Sequence, residues 1–479
     1  MSRAREAEDA PPTGEEEASH LAEDQTLAEA FVDQIYEAIE ANDAEAARAL
    51  AADLHPADLA ALLALLGEED REKLIALFGG RLDAEVLAEL NPDIRESVVM
   101  AMPAERVAEA VADLDTDDAA FVLGDLDEEK RAEILAEMPV TDRLAVHAAL
   151  DYEEESAGRL MQRGFFAAPA YWTVGQIIDR LRGSEDLPDR FYEVFVVDPA
   201  FKPIGAVPLS TLLKTPRDIR IETLMSDREL RLIPVTMDQE EVGYLFEQYN
   251  LISAPVVDEN ERLVGMITVD DVVEIVHEET HEDMLALAGV EADTGLSDTV
   301  VETVRSRFSW LAVNLATAIL ASLVISLFDK QIGQFVALAV LMPIVASMGG
   351  NAGTQTLTVA VRSLATKELT TMNAARIVWR ETIVGGLNGF LFAIIMGALA
   401  GAWYYATARD LEDAVDLGVV VGAAMMINLV AAGLAGILIP LGLQRAGADP
   451  AVSSAVFVTT VTDVVGFFVF LGLAAVVLL

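Results

Sequence analysis

Five long apolar stretches in the second part of the chain constrain its fold more than any other feature of the sequence. Each holds roughly 20 residues or more, which is enough for an α-helix to cross about 30 Å of hydrocarbon. The sequence therefore predicts an all-α transmembrane domain with five helices over residues 305–479. The stretches are approximately Phe308–Phe328, Phe335–Val361, Ile377–Tyr405, Leu417–Leu443 and Ala451–Leu478.

Charge divides the chain differently from hydropathy. The 479 residues include 32 Lys+Arg and 79 Asp+Glu, for a net charge of -47, yet from Val301 onward there are only 9 basic and 10 acidic residues. Nearly all the negative charge therefore belongs to the first three hundred residues. Such a field attracts cations and repels nucleic acid, which argues against a nucleic-acid partner. Proteins of salt-adapted organisms are equally acidic, so composition alone does not separate cation sensing from salt adaptation.

Basic residues near the ends of the apolar stretches predict the orientation in the bilayer. They lie before the first stretch, between the second and third, and between the fourth and fifth, and the positive-inside rule makes these sides cytoplasmic. We therefore expect a multi-pass plasma-membrane protein with its large N-terminal part in the cytoplasm and its C-terminus outside. The basic residues are Arg305, Arg307, Arg362, Lys367, Arg376, Arg380 and Arg445.

The segment before the membrane part begins with an acidic stretch, residues 1–25, that has no apolar core and is predicted to be disordered. Residues 26–156 are rich in Ala, Leu and Glu at helical spacing, with recurrent helix starts such as His55-Pro56 and Asn91-Pro92. This pattern predicts an all-α superhelical domain. The sequence has no cysteine, which excludes disulfides and thiolate metal sites. No phosphate loop or nucleophile–base pair is evident, so an enzyme is not expected.

An internal repeat follows the helical region. Val196–Val207 aligns without a gap to Val256–Ile267, and each copy is predicted as strand, turn, strand and helix. Leu160-Met161 and Leu224-Met225 precede the two copies. Two such α/β units resemble tandem CBS domains, here residues 157–223 and 224–279. CBS pairs are regulatory modules, and many bind adenine nucleotides such as ATP; a pair that only holds a dimer together is the alternative.

An acidic stripe lies on the helix after the second copy. Asp271, Glu274, Glu278 and Glu282 are spaced i, i+3, i+7 and i+11, so their like charges repel unless cations lie beside them. Thr268 and Asp271 form a capping box that explains only the first turn. Divalent-cation sensing and a plain solvated face are the two interpretations.

The second apolar stretch carries the sequence Met342–Thr356, in which glycines, a proline and polar side chains predict an interrupted helix. Irregular backbone at membrane depth is tolerated only where it faces protein or water. One interpretation is a pore lining, and the other is small-residue helix packing with Asn and Gln as interhelical hydrogen bonders. The candidate pore-lining residues are Gly349, Gly350, Asn351, Thr354 and Gln355.

The fifth stretch contains one ionisable residue, Asp463. A carboxylate inside the bilayer costs several kcal/mol and usually belongs to an ion or proton path. Thr459 lies one turn earlier and faces the same way. Carboxylate, hydroxyl and carbonyl oxygens suit Mg²⁺ or Ca²⁺. Mg²⁺ keeps its water shell readily, so two copies of Asp463 across a two-fold axis would suffice to hold it.

The order of these parts, with Pro-x₅-Gly-Gly-Asn-x-Gly-x-Gln in the second stretch and Asp-Pro-Ala…Thr-x-x-x-Asp in the fifth, resembles the MgtE family of magnesium channels. The resemblance implies a homodimeric Mg²⁺-selective pore, with hydrated Mg²⁺ at Asp463 beside the Thr459 carbonyl. It also implies a connecting "plug" helix, residues 280–304, and a gate held shut by cytosolic Mg²⁺. The implied regulatory ligands are Glu85, Asp117, Gly158, Asp238, Glu240, Asp271, Glu274, Glu279, Glu282 and Asp283.

Two positions depart from the family pattern. Asn250 stands where an acidic ligand is expected, and Phe121 replaces an acid one turn after Asp117. Two other functions are compatible with the sequence: a CBS-regulated, ion-coupled exporter of divalent cations, and a membrane-anchored nucleotide sensor without transport.

Overall fold

A computed structural model describes residues 20–22, 26–52, 54–183, 190–225, 230–290 and 300–478. Its contacts divide the chain into two compact units, Met1–Val273 and Glu274–Leu479. The predicted acidic segment 1–25 lies outside the described residues except for 20–22, and so do residues 291–299 of the predicted plug segment.

Short helices form the first part of unit Met1–Val273. Several begin with an aspartate whose side chain accepts a hydrogen bond from the first turn, as Asp43 does from Glu45 N and Ala46 N. Others begin with a proline in the first turn, as predicted at Pro56 and Pro92. The helices are α1 Glu29–Glu40, α2 Ala44–Ala51, α3 Pro56–Leu65, α4 Glu68–Leu77, α5 Ala84–Ala88, α6 Pro92–Ala101, α7 Ala104–Ala112, α8 Thr116–Gly124, α9 Glu128–Glu137 and α10 Val140–Leu150.

Buried or partly buried arginines join successive helices of this stack. Arg71 donates to Leu63 O and Leu66 O, both at 2.9 Å, at the end of α3. Arg95 donates to Leu90 O at 2.7 Å, and Arg131 repeats the arrangement further along the chain with Gly124 O and Leu126 O. Because the last carbonyls of a helix have no intrahelical donor, each arginine satisfies groups that packing would otherwise bury unpaired.

Two three-stranded sheets complete this unit. Each has a first strand parallel to the second and a second antiparallel to the third, with a register shift at the same place. Val196 pairs with Gly205, and Val256 pairs with Gly265, which confirms the repeat in its predicted register. The elements are β1 Ala167–Pro169, α11 Val174–Gly183, β2 Glu193–Val197, β3 Pro203–Pro208, α12 Leu209–Lys214, β4 Ile233–Pro234, α13 Gln239–Tyr249, β5 Ser253–Val257, β6 Leu263–Thr268 and α14 Val269–Ala288.

The methionine that precedes each copy of the repeat packs against the other copy. Met161, upstream of the first copy, packs on Gly265 of the second, where a Cβ atom would lie 2.7 Å from its sulfur. Met225, upstream of the second copy, packs on Gly205 of the first in the same way. The two copies therefore interlock, and each glycine is required by the close approach of a methionine from the other half.

The second unit contains five helices that are long and apolar enough to span a membrane within the described part of the chain, which confirms the predicted number. The helix α19 packs against α17, α18 and α20 and carries much of the buried core. The helices are α15 Val300–Ser326, α16 Asp329–Gln334, α17 Ala337–Ala365, α18 Ala374–Ala408, α19 Leu411–Arg445 and α20 Pro450–Val477, of which α16 is short.

The predicted interruption in the second span is wrong, because α17 is continuous from Ala337 to Ala365. Its glycines serve packing: a Cβ at Gly353 would lie 2.6 Å from Cγ1 of Val458 in α20. The amide of Asn428 in α19 donates to Val345 O of α17 at 2.9 Å. Neighbouring helices therefore support the backbone that the glycines leave bare.

Candidate metal and transport sites

Asp117 and Asp271 approach one another inside the first unit. Asp117 lies in the first turn of α8 and Asp271 in the first turn of α14. Thr268 donates to Asp271 Oδ2 from its backbone N at 3.2 Å and from its hydroxyl at 3.0 Å, so the Asp271 side chain makes its half of the predicted capping box. The Oδ1 atom of Asp117 is buried and has no hydrogen-bond partner among the described residues.

Both carboxyl groups are strongly perturbed. Burial raises the pKa of Asp117 well above its usual range, and the charges of Asp271, Asp118 and Asp115 raise it further. Burial raises the pKa of Asp271 to about 7, despite the hydrogen bonds from Thr268 that favour its ionised form. Two like charges removed from water repel one another unless a proton or a cation lies between them. The contact is therefore stable only while a proton or a cation neutralises it, and the Asp271 proton is lost as the pH rises through about 7.

Within the described ranges, no three His, Asp or Glu side chains are grouped as a metal-binding cluster. Two carboxylates are a number that commonly holds Mg²⁺ when the ion keeps several waters, so the Asp117–Asp271 contact is a candidate for such binding.

The other predicted regulatory residues of the first unit lie at the surface or at the junction of its parts. Asp238 is exposed and caps α13 by accepting from Glu240 N at 2.9 Å. Gly158 N donates to Val235 O at 2.9 Å, which ties the end of the helical stack to the second sheet. Glu85 is exposed, 4.0 Å from the guanidinium of Arg190.

Both departures from the family pattern have structural roles. Asn250 ends α13 in a left-handed conformation with φ 51°, which asparagine adopts more readily than most residues. The ring of Phe121 lies 3.7 Å from the guanidinium carbon of Arg95, a fully buried arginine that also binds Asp125 at 2.9 Å. Aromatic contact helps to offset the burial of that positive charge.

In the second unit, Asp283 of α14 lies close to Asp449, the N-cap of α20. Burial raises the pKa of Asp283, and the charge of Asp449 raises it further. One turn along α14, Ala286 is buried in a cluster with Leu357, Ala451 and other residues of α17 and α20. Glu279 and Glu282 are half-buried, whereas Glu274 and Glu278 are exposed. The end of α14 therefore packs against the starting end of the last span.

Asp463 is half-buried on α20. Its carboxylate makes no hydrogen bond or ion pair with any residue in the part of the chain that the structure describes. The Thr459 hydroxyl points back to Ala455 O and Val456 O at 3.0 Å, while Thr462 donates to Thr459 O at 2.9 Å. The hydroxyls of Thr459 and Thr462 are therefore both bonded within α20.

The candidate pore residues of α17 divide between two faces. Gly349 is buried against Asn428, and Gly350 lies near Thr462 of α20, with a Cβ position 3.9 Å from its hydroxyl. Asn351, Thr354 and Gln355 are exposed. The packing interpretation therefore fits Gly349, whereas Gly350 lies one turn before Thr354 and near the outward polar face, which hydrocarbon would not tolerate.

Comparison with known families agrees with this arrangement. Residues 342–473 match the MgtE family, described as a divalent cation transporter. Residues 54–155 match the MgtE intracellular N domain, and residues 221–278 match a CBS domain. A relative from Enterococcus faecalis, named magnesium transporter MgtE, is 31% identical over 68% of this chain and 69% of its own length. The chain belongs to the MgtE family.

Further relatives cover a similar share. The magnesium transporter MgtE of Thermus thermophilus is 31% identical over 68% of this chain and 71% of its own. A solved structure of the cytosolic domain of the Mg²⁺ channel MgtE in complex with ATP is 30% identical, covers 51% of this chain and 99% of that one, and has a TM-score of 0.47.

Two further acidic residues of this MgtE-family chain lie at positions of interest that the sequence motifs do not include. Asp449 caps the span that carries Asp463 and lies close to Asp283 of α14. Glu381 lies inside α18, with its side chain 15% exposed, and Thr356 donates to its Oε2 at 3.4 Å. Glu381, like Asp463, is an acid within an apolar span, and this pattern in the sequence is the signal that indicates it.

Proposed function

We propose that this protein is a homodimeric, Mg²⁺-selective channel of the plasma membrane whose opening is controlled by cytosolic Mg²⁺. Hydrated Mg²⁺ passes between two copies of Asp463, beside the Thr459 carbonyls and the polar face of α17. The N-terminal domains lie in the cytoplasm and the C-terminus outside. The observation that carries the regulatory part is the buried pair of Asp117 and Asp271, whose repulsion a divalent cation removes.

The helix α14 is the element that Mg²⁺ would act on. Its first turn carries Asp271, which faces Asp117, and its last turns carry Asp283, which faces Asp449. At high cytosolic Mg²⁺, ions neutralise both acidic contacts and hold α14 at each end, with Glu279 and Glu282 adding negative charge. At low Mg²⁺, repulsion loosens the contacts and favours an open state. This is a shift of population driven by ion binding to one of two states.

The remaining predicted ligands have a secondary part in this proposal. Glu85, Gly158, Asp238, Glu240 and Glu274 would add weaker binding at the surface of the acidic domains. ATP binding to the CBS pair is a further element of the proposal, and it would act by stabilising the interlocked repeats.

Ion flux into liposomes that contain the purified full-length protein tests the proposal. We expect Mg²⁺ uptake that falls as Mg²⁺ on the side of the soluble domains rises, and weaker uptake of Ca²⁺, Mn²⁺ and Co²⁺ in competition. Flux that does not change with the Mg²⁺ concentration on that side would contradict the proposed control of opening by cytosolic Mg²⁺. Flux that requires a proton or sodium gradient would favour the coupled exporter instead.

A further inference from the structure

A cavity of about 360 Å³ opens between α17 and α18 where they approach the loop that joins them. Its walls carry two arginines, Arg376 and Arg380, and two carboxylates, Glu368 and Glu381. Arg376 and Arg380 are four residues apart on α18 and share one face. The proposed pore gives this cavity no role, because Asp463 lies on α20 and Asn351, Thr354 and Gln355 lie on another face of α17.

The cavity lies where α17 ends and α18 begins, and the apolar lengths of the two helices place such ends near the lipid headgroups. Trp379, between the two arginines in sequence, is 66% exposed, and tryptophan is enriched where a membrane protein crosses the headgroup region. Arginines at this level, on the side that the positive-inside rule makes cytoplasmic, are the usual partners of lipid phosphates. The floor is a packed apolar cluster that includes Ala360, Leu369 and Ile437, so the cavity has a fixed shape.

The charges of the walls select among ligands. Arg380 is only loosely paired with Glu381, since Nε and Oε1 are 3.9 Å apart, and its side chain is 74% exposed. A purely anionic group would meet the arginines but also the two carboxylates. A group that carries both a phosphodiester and an ammonium satisfies all four side chains. A primary ammonium donates hydrogen bonds to carboxylates, which a quaternary ammonium cannot do.

We propose that the α17–α18 cavity is a binding site for a zwitterionic phospholipid headgroup with a primary amine, of the phosphatidylethanolamine type. The phosphodiester binds Arg376 and Arg380, and the ammonium binds Glu381 and Glu368. The acyl chains leave along the apolar side of the cavity, beside Val359 and Ile377. The bound headgroup fills the space that separates the ends of two spans.

Native mass spectrometry of the delipidated full-length protein tests this site. The protein is titrated with dioleoyl phosphatidylethanolamine, phosphatidylglycerol and phosphatidylcholine under identical conditions. We expect phosphatidylethanolamine to bind about tenfold more tightly than either of the others, the effect of one charge-assisted hydrogen bond. Equal binding of the three lipids would overturn the proposal, and so would tighter binding of phosphatidylglycerol. This comparison uses the unaltered protein and is independent of ion flux.

Two double variants locate the site. Arg376→Gln with Arg380→Gln should weaken phosphatidylethanolamine binding about tenfold. Glu368→Gln with Glu381→Gln should abolish the preference over phosphatidylglycerol. The control, Arg362→Gln with Arg445→Gln, removes the same charge from residues on the same side of the membrane that do not line the cavity, and should change nothing. Unchanged lipid binding in both cavity variants would show that the lipid binds elsewhere.

Discussion

The two units of this protein use carboxylates in opposite ways. In Met1–Val273, burial raises the pKa of both Asp117 and Asp271, and the charge of Asp271 raises that of Asp117 further. In Glu274–Leu479, Asp463 stands on a membrane span without a bonded partner in the described part of the chain. The ionised Asp117–Asp271 pair is unfavourable without a cation because two buried charges repel. Asp463 has only the free-energy cost of placing one carboxylate in a membrane span.

This difference matches two demands on a cation site. A sensor must keep its ion for as long as the cytosolic concentration is high. A buried pair of carboxylates does this because a bound ion removes their repulsion and gives their buried oxygens a partner. A conducting site must release its ion, and a single carboxylate that acts through the ion's water shell binds weakly enough to do so. The proposed channel therefore senses with pairs and conducts with a single acid from each chain.

Replacement of Asp463 should have the largest effect. Asp463→Ala removes the charge that compensates Mg²⁺ in the span, and we expect transport to fall about 100-fold or more, because even outer partners of metal ligands contribute about 10–100-fold. Liposome flux measures the loss, and thermal unfolding checks that the variant is folded. Glu412→Ala, an exposed acid of the same unit, is the control. Undiminished flux in Asp463→Ala would disprove the pore assignment.

The paired site should affect regulation and leave conduction intact. Asp117→Asn with Asp271→Asn removes both the repulsion that favours the open state and the carboxylates through which Mg²⁺ would favour the closed state. We therefore expect the ratio of flux at low Mg²⁺ to flux at high Mg²⁺ to fall about tenfold or more. Flux at low Mg²⁺ should not exceed that of the parent. Asp127→Asn is the matched control, because Asp127 is the exposed N-cap of α9 and asparagine caps a helix about as well as aspartate does. If Mg²⁺ inhibited the double variant and the parent equally, Asp117 and Asp271 would not be the Mg²⁺ sensor.

The raised pKa values predict a pH dependence of the same site. Asp271 titrates at about 7 against an ordinary value of 3.8, so the folded state holds its proton more strongly than the unfolded chain. Without divalent cations, the contact is stable below the ordinary value and loses stability as the pH rises through about 7. In the proposed mechanism Mg²⁺ binds the ionised pair, so inhibition by Mg²⁺ should strengthen over the same pH range.

We therefore expect the half-inhibitory Mg²⁺ concentration to rise as the pH falls below about 7. If Mg²⁺ binding displaces one proton, the rise is up to about tenfold for each pH unit. Flux assays at about pH 6 and about pH 8 measure this shift. Asp118, Asp115 and Asp270 face the same site, so Asp117→Asn with Asp271→Asn is the needed control and should flatten the dependence. A shift that persists in that variant would assign the titration to other groups.

The sequence predicted what is local or repeated in this fold. The alignment of Val196–Val207 with Val256–Ile267 gave the correct register of both hairpins, because a period of two fixes which side chains pair. Apolar length gave the five spans. Contacts between distant segments were not predictable: the exchange of Met161 and Met225, and the meeting of Asp283 with Asp449, depend on packing that no local pattern encodes. The continuity of α17 was missed for the same reason.

The smallest expected effect is on stability, and it distinguishes glycines of α17 that pack against α20 from those that do not. At Gly353 a Cβ would lie 2.6 Å from Val458 Cγ1, whereas at Gly350 the nearest atom, the Thr462 hydroxyl, is 3.9 Å away. Gly353→Ala should therefore lower the free energy of unfolding by about 1–3 kcal/mol through overpacking. Gly350→Ala should be neutral or slightly stabilising, because alanine is the better helix former. Thermal unfolding of the two variants in detergent measures the contrast. If Gly350→Ala were the more destabilising, the continuous helix and its packing against α20 would both be wrong, and a break at the glycine pair would again explain the segment.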